Sequence, residues 1–179
     1  MLQITIPASE MYDERAGEFI ATPRQVLQVE HSLVSLAKWE SRWGKPFLTT
    51  EAKSRAECND YIRCMTLTQN VPPNVYKVIP ESVFEKVNDY IEHPMTATWF
   101  RDDKTRTSPK NREVITAEII YYWMIALNIP FECQKWHLSR LLTLIRVCEA
   151  ENRPKKKASK QDLLSQYASL NAARRKPRR

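Results

Sequence analysis

The chain has 179 residues, 42% of them hydrophobic, and a formal net charge of +7. That suits one domain with a real core and a tail. Only two glycines occur, Gly17 and Gly44, so the multi-glycine loops that cradle phosphates or dinucleotides cannot be built, and enzymes of those classes are set aside. The charge is uneven. Residues 152–179 hold ten Lys or Arg against Asp162 alone, +9, so residues 1–151 must total −2 for the chain to reach +7. A nearly neutral domain at 1–151 carries a basic, flexible tail at 152–179, and partner arguments from net charge apply to the tail only.

In chain order, "LQITI" (Leu2–Ile6) alternates apolar and polar residues as a half-buried strand does, and "QVLQVE" (Gln25–Glu30) is similar. The two are candidates to pair across an irregular, polar segment. From Leu33 to Trp43 a helix is favoured, ended by Gly44 and Pro46, although Leu33, Ser35 and Ala37 also fit a strand. "TTEAKSRAECNDYIRCMTL" predicts a helix capped by Thr49 or Thr50, with Cys58, Ile62 and Met65 on one face. Pro72 and Pro73 break it. "PESVFEKVNDYIEHP" predicts an amphipathic helix with Pro80 in its first turn, Val83, Phe84, Val87, Tyr90 and Ile91 inward, and Pro94 as its stop. "TATWF" is a strand or extended loop, and "RDDKTRT" a solvated turn.

Ser108-Pro109 reads as an N-cap and first helical residue, opening a helix to Asn128 with Ile115, Ile119, Tyr122 and Ala126 on one stripe. A short link, "NIPF", leads to a second helix, Glu132 to about Glu151, with Leu138, Leu141, Ile145 and Cys148 on its stripe. Two long helices so joined are expected to pair antiparallel. In the tail, "SKQDLLSQYASLNAARR" can form a short helix with Leu163, Leu164, Tyr167 and Leu170 on one side. The fold class expected is therefore mainly α: a compact helical domain with a small N-terminal β element and a C-terminal helical hairpin.

The unbroken apolar run Ile119–Leu127 has three readings: membrane span, buried core, or surface for an apolar partner. It is nine residues long, against about 20 for a spanning helix. The N-terminus lacks the basic and apolar regions of a secretory signal, so the chain is read as cytosolic. The four cysteines, Cys58, Cys64, Cys133 and Cys148, are read as thiols rather than disulfides. On a helix, Cys133 and His137 could form a metal half-site, but no second compact pair accompanies them, and a buried thiol with a packed histidine is preferred. None of the three histidines lies in a catalytic signature, so no enzyme, metal or cofactor is expected. Trp39 and Trp43, flanked by Lys38, Arg42 and Lys45, could stack single-stranded nucleic acid; two core anchors covered by basic side chains is the preferred reading. The tail could neutralise phosphates or order on an acidic protein, and composition does not choose.

Three stretches, "VEHSLVSLAKWESRWGKPFL", "ITAEIIYYWMIALNIPFECQKWHLSRLLTLI" and the terminal "SLNAARRK", resemble the tail assembly chaperones of long-tailed (siphovirus-type) bacteriophages, especially those infecting actinobacteria. The resemblance implies a non-enzymatic protein of virion morphogenesis. It acts in the host cell cytoplasm, coats the tape measure protein until the tail tube polymerises, and is absent from the mature virion. It also implies a longer product made by ribosomal frameshifting that recruits the major tail (tube) protein. This chain looks like the shorter product, and Lys155-Lys156-Lys157 could be encoded by a slippery heptamer. The resemblance requires apolar and aromatic surface for a helical client. The candidates are Trp39, Trp43, Tyr121, Tyr122, Trp123, Phe131 and Trp136, and the candidate basic-arm contacts are Lys155, Lys156, Lys157, Arg174, Arg175, Arg178 and Arg179. A homo-oligomer is open. No membrane partner is expected, and nucleic acid is expected only through the tail; a nucleic-acid-binding module with a basic arm is the competing function.

Overall fold

The structure, a computed structural model, describes residues 1–13, 17–98, 100, 114–152 and 167–168. The chain divides into two compact units, Met1–Cys148 and Glu149–Arg179. Among the described residues the protein is mainly α, with a small β element at its start.

Strand β1 (Leu2–Ile6) pairs antiparallel with β4 (Gln25–Val29). Ile4, Ile6, Leu27 and Val29 are buried while Gln3, Thr5 and Gln28 face solvent, so the predicted alternation positions the pair. The segment between them is not irregular, as the sequence suggested. It forms a second antiparallel pair, β2 (Ser9–Asp13) with β3 (Glu18–Thr22). Ile6 faces Gln25 and Ser9 faces Thr22, so both pairs share one register. Between them lie Pro7 and Pro23, which have no N–H to give a ladder. The outer pair was not readable as strand because an apolar side chain is not reserved for a buried face: Tyr12 and Phe19 sit opposite each other, 5.0 Å apart, and both are exposed.

Helix α1 (Leu33–Trp43) starts at Ser32, whose hydroxyl accepts from the Ser35 backbone N–H while Ser35 returns the bond. It ends at Gly44, whose φ of 62° suits the left-handed cap and whose N–H reaches the Glu40 carbonyl. Helix α2 (Arg55–Met65) is capped by Ser54 with Glu57, a Ser-x-x-Glu box, and not by Thr49 or Thr50. A 3-10 turn (Pro73–Lys77) follows the proline pair, then α3 (Glu81–Glu92), with Pro80 extended at the N-cap rather than inside the first turn.

Helix α4 runs Ala117–Ala126 from Thr116. The expected start at Ser108-Pro109 lies outside the described residues, and Val114–Thr116 are not helical. The helix begins where the buried Glu40 carboxylate, from α1, accepts the Ala117 N–H at 2.7 Å. Its other oxygen accepts the Phe47 N–H at 2.8 Å. The expected short link and a helix from Glu132 are also corrected. A 3-10 turn (Phe131–Lys135) follows Pro130, and α5 spans Leu138–Asn152. The delay has a cause. His137 bridges to Ser32, and the Leu138 N–H is given to the His31 carbonyl at 2.7 Å, so this backbone pairs with another segment instead of with its own next turn.

Two apolar clusters result. One gathers β1, β4, α2 and α3 around Trp39, Tyr61 and Met65. The other gathers α4 and α5 around Leu33 and Leu36. Helix α1 contributes to both, and Phe47 packs against both.

Candidate interaction surface

On α4, Ala117, Ile120 and Met124 are buried. At 100° per residue these share one face, and Glu118, Tyr122, Ile125 and Ala126 share the opposite one. All four of the latter are exposed, Tyr122 at 67% and Ile125 at 61%. An ordinary surface helix shows a polar stripe to solvent; apart from Glu118, this one shows an apolar stripe. Tyr121, Trp123 and Leu127 flank it and are half-buried. Phe131, 52% exposed, lies 6.4 Å from Tyr121, while the Tyr121 hydroxyl is fixed by the Gln134 side chain at 2.9 Å. Asn128, in the left-handed region at φ 53°, ends the helix and sends the chain to Phe131. The second half of the apolar run is thus neither all core nor all surface.

Of the sequence-predicted residues, Tyr121 and Phe131 are brought together; Tyr122 stands on the exposed stripe, and Trp123 is half-buried at its edge. Trp136 is half-buried beneath the Arg140 guanidinium, 4.3 Å from its ring. Trp39 leaves the candidate surface: it is wholly buried, with its indole N–H on the Glu57 carbonyl at 3.0 Å. Trp43 stacks on it at 6.0 Å, is about one-third exposed, and donates to Asp60. Lys45 lies 5.9 Å from both rings and pairs with Glu57. Trp39 is thus a core anchor, whereas Trp43 lies at the surface beside it. The arm residues Lys155, Lys156, Lys157, Arg174, Arg175, Arg178 and Arg179 lie outside the described residues. Tyr167 is exposed; Leu163, Leu164 and Leu170 are outside them.

A buried polar seam was not anticipated. His31 Nδ1 and the Tyr61 hydroxyl are 2.6 Å apart, and the His31 and His137 rings meet edge-on at 5.2 Å. His137 Nε2 donates to the Tyr90 carbonyl at 3.0 Å, which leaves its buried Nδ1 without a partner. Tyr90 donates its hydroxyl to Glu30 at 2.7 Å. Burial pushes His31 down to about 3, aided by the neighbouring His137. Burial also lowers His137, against the opposing pull of the Tyr90 carbonyl and Glu30. Burial raises the Tyr61 and Tyr90 phenols. Cys133 is buried in the 3-10 turn and His137 lies outside any helix, so the helical spacing behind a Cys133–His137 half-site does not exist. One signal for the seam was readable: a histidine close before each helix, His31 just ahead of the Ser32 cap of α1 and His137 directly before α5.

No family model, curated protein or solved structure matches the chain. Among the described residues, no helix is long and apolar enough to cross a membrane.

Proposed function

We propose that this protein is a tail assembly chaperone of a long-tailed phage, a non-enzymatic binding protein for the apolar face of a helical tape measure protein. In this reading residues 1–151 form the chaperone domain and 152–179 a basic tail. The protein works in the host cytoplasm, hands its client to the growing tube of major tail protein, and stays out of the virion. The single observation that carries the reading is the inverted α4, whose outward stripe is apolar around Tyr122 and Ile125. Contiguous exposed apolar area of this kind marks a contact surface, and the stretch that bears it is one of those that resemble the family.

The test is affinity for a purified tape measure fragment, at low and high salt, for three forms of the full chain. These are the parent, Tyr122→Asp, and a variant with the seven candidate arm cations changed to glutamate. Apolar burial is not screened by salt, so the parent and the arm variant should bind alike at both salts, and Tyr122→Asp should lose at least tenfold. A steep fall with salt that vanishes on charge reversal would refute the reading. The competing function, nucleic-acid binding through ten tail cations, would then take its place.

A further inference from the structure

We infer that the α4 face selects a client helix whose apolar stripe is flanked by lysine or arginine, a specificity that rests on the docking reading above. The exposed stripe from Glu118 to Ala126 is about 12 Å long at 1.5 Å per residue. That is the footprint of two helical turns, and its side chains at i, i+4 and i+7 form a ridge that fits the groove of another helix. A strand would gain nothing here, because the α4 backbone is bonded within its own helix and offers no edge. Both ends of the ridge are electronegative. At the start, Glu118 stands on the stripe itself, one turn before Tyr122. At the end, the last turn carries no basic side chain to offset the negative end of the helix dipole, and on the Tyr121 flank Glu132 is exposed next to Phe131. Lys135 shares the 3-10 turn with Glu132 and offsets part of that charge, whereas Arg140 is engaged with Trp136. The strongest discrimination therefore falls at Glu118. An acidic rim beside an apolar centre adds little affinity but rejects clients of the wrong charge.

The probes are two labelled synthetic helices of ~20 residues, long enough to hold helical structure. They share one leucine stripe and differ only in its flanks, lysine in one and glutamate in the other. Fluorescence anisotropy with the full chain should show the lysine form binding about three- to tenfold tighter at low salt, the range of one or two exposed ion pairs. The preference should shrink in Glu118→Gln with Glu132→Gln, and reverse in Glu118→Lys with Glu132→Lys. The glutamine pair serves if lysine at the helix start impairs folding, which far-ultraviolet circular dichroism reports. Equal binding of the two peptides, abolished by Tyr122→Asp, would overturn the charge selection and leave the docking reading intact. Binding of neither peptide would overturn both.

Discussion

Acidification should unfold this protein through its buried histidines before its carboxylates titrate. His31 has an ordinary value of 6.5 and is held at about 3 in the fold. The unfolded chain therefore binds a proton that the folded chain refuses, and stability falls with pH below 6.5. The full stability is present above that value, and the loss continues until about 3 is reached. At pH 5 the linkage relation puts the cost of His31 at about 2 kcal/mol. His137, also lowered by burial, adds in the same direction, and its unpartnered Nδ1 is where the proton would have to sit. Glu57 works in a different window. Its bond to Lys45, with help from Ser54, holds it below 4.5, so its contribution is present above 4.5 and is lost only below it. The assay is guanidinium denaturation at pH 7.5 and pH 5, with an unchanged m-value and a lower midpoint expected. His31→Asn keeps a polar group near the Tyr61 hydroxyl and removes the titration, so its own loss between the two pH values should be smaller by about 2 kcal/mol. A parent protein equally stable at both pH values, or a variant with the undiminished loss, would refute the reasoning.

Glu40→Ala should cost about 2–4 kcal/mol, because it orphans the Phe47 and Ala117 N–H groups together; a urea titration measures it, and a change under 1 kcal/mol would show that other acceptors replace the carboxylate. Trp39→Ala should cost about 3–5 kcal/mol, as expected of a wholly buried indole, and the more exposed Trp43→Ala distinctly less. Gly44→Ala should cost about 1 kcal/mol from its positive φ alone, since an added Cβ meets nothing within 4 Å; a larger loss in a thermal melt would reveal a contact. Tyr122→Ala should change stability by less than about 0.5 kcal/mol, because the side chain is largely exposed.

Elements were legible where one face is buried. Leu2–Ile6, Gln25–Val29, α1 and α3 follow their alternation or helical stripe, and Ile4, Leu27 and Val83 sit where that pattern puts them. Boundaries failed where a distant partner sets them. Nothing near Ala117 in the sequence announces a cap supplied by Glu40, and nothing near Leu138 announces that its N–H goes to His31. The Ser54-x-x-Glu57 box is readable in the sequence, and it outcompetes the threonines upstream because its carboxylate returns the bond to the cap. For the candidate surface, Tyr121, Tyr122, Trp123 and Phe131 could be picked by type. Which of them face solvent could not be told, because a run that is apolar all round does not say which side meets α1. Ile125 and Glu118 went unpicked for that reason: their exposure follows from the placement of Ile120 and Met124 against the second cluster.

The carboxylate of Glu40 also orders events in time. Joining residues 40 and 117 closes a long stretch of chain, and loop closure is slow relative to local turns. Helix α4 spans only Ala117–Ala126, too short to persist in water unaided, and its first N–H waits for an acceptor on α1. A peptide of residues 114–130 should therefore be largely unstructured. The face around Tyr122 should come into being only after α1 has folded, so a half-made chain displays no finished apolar ridge.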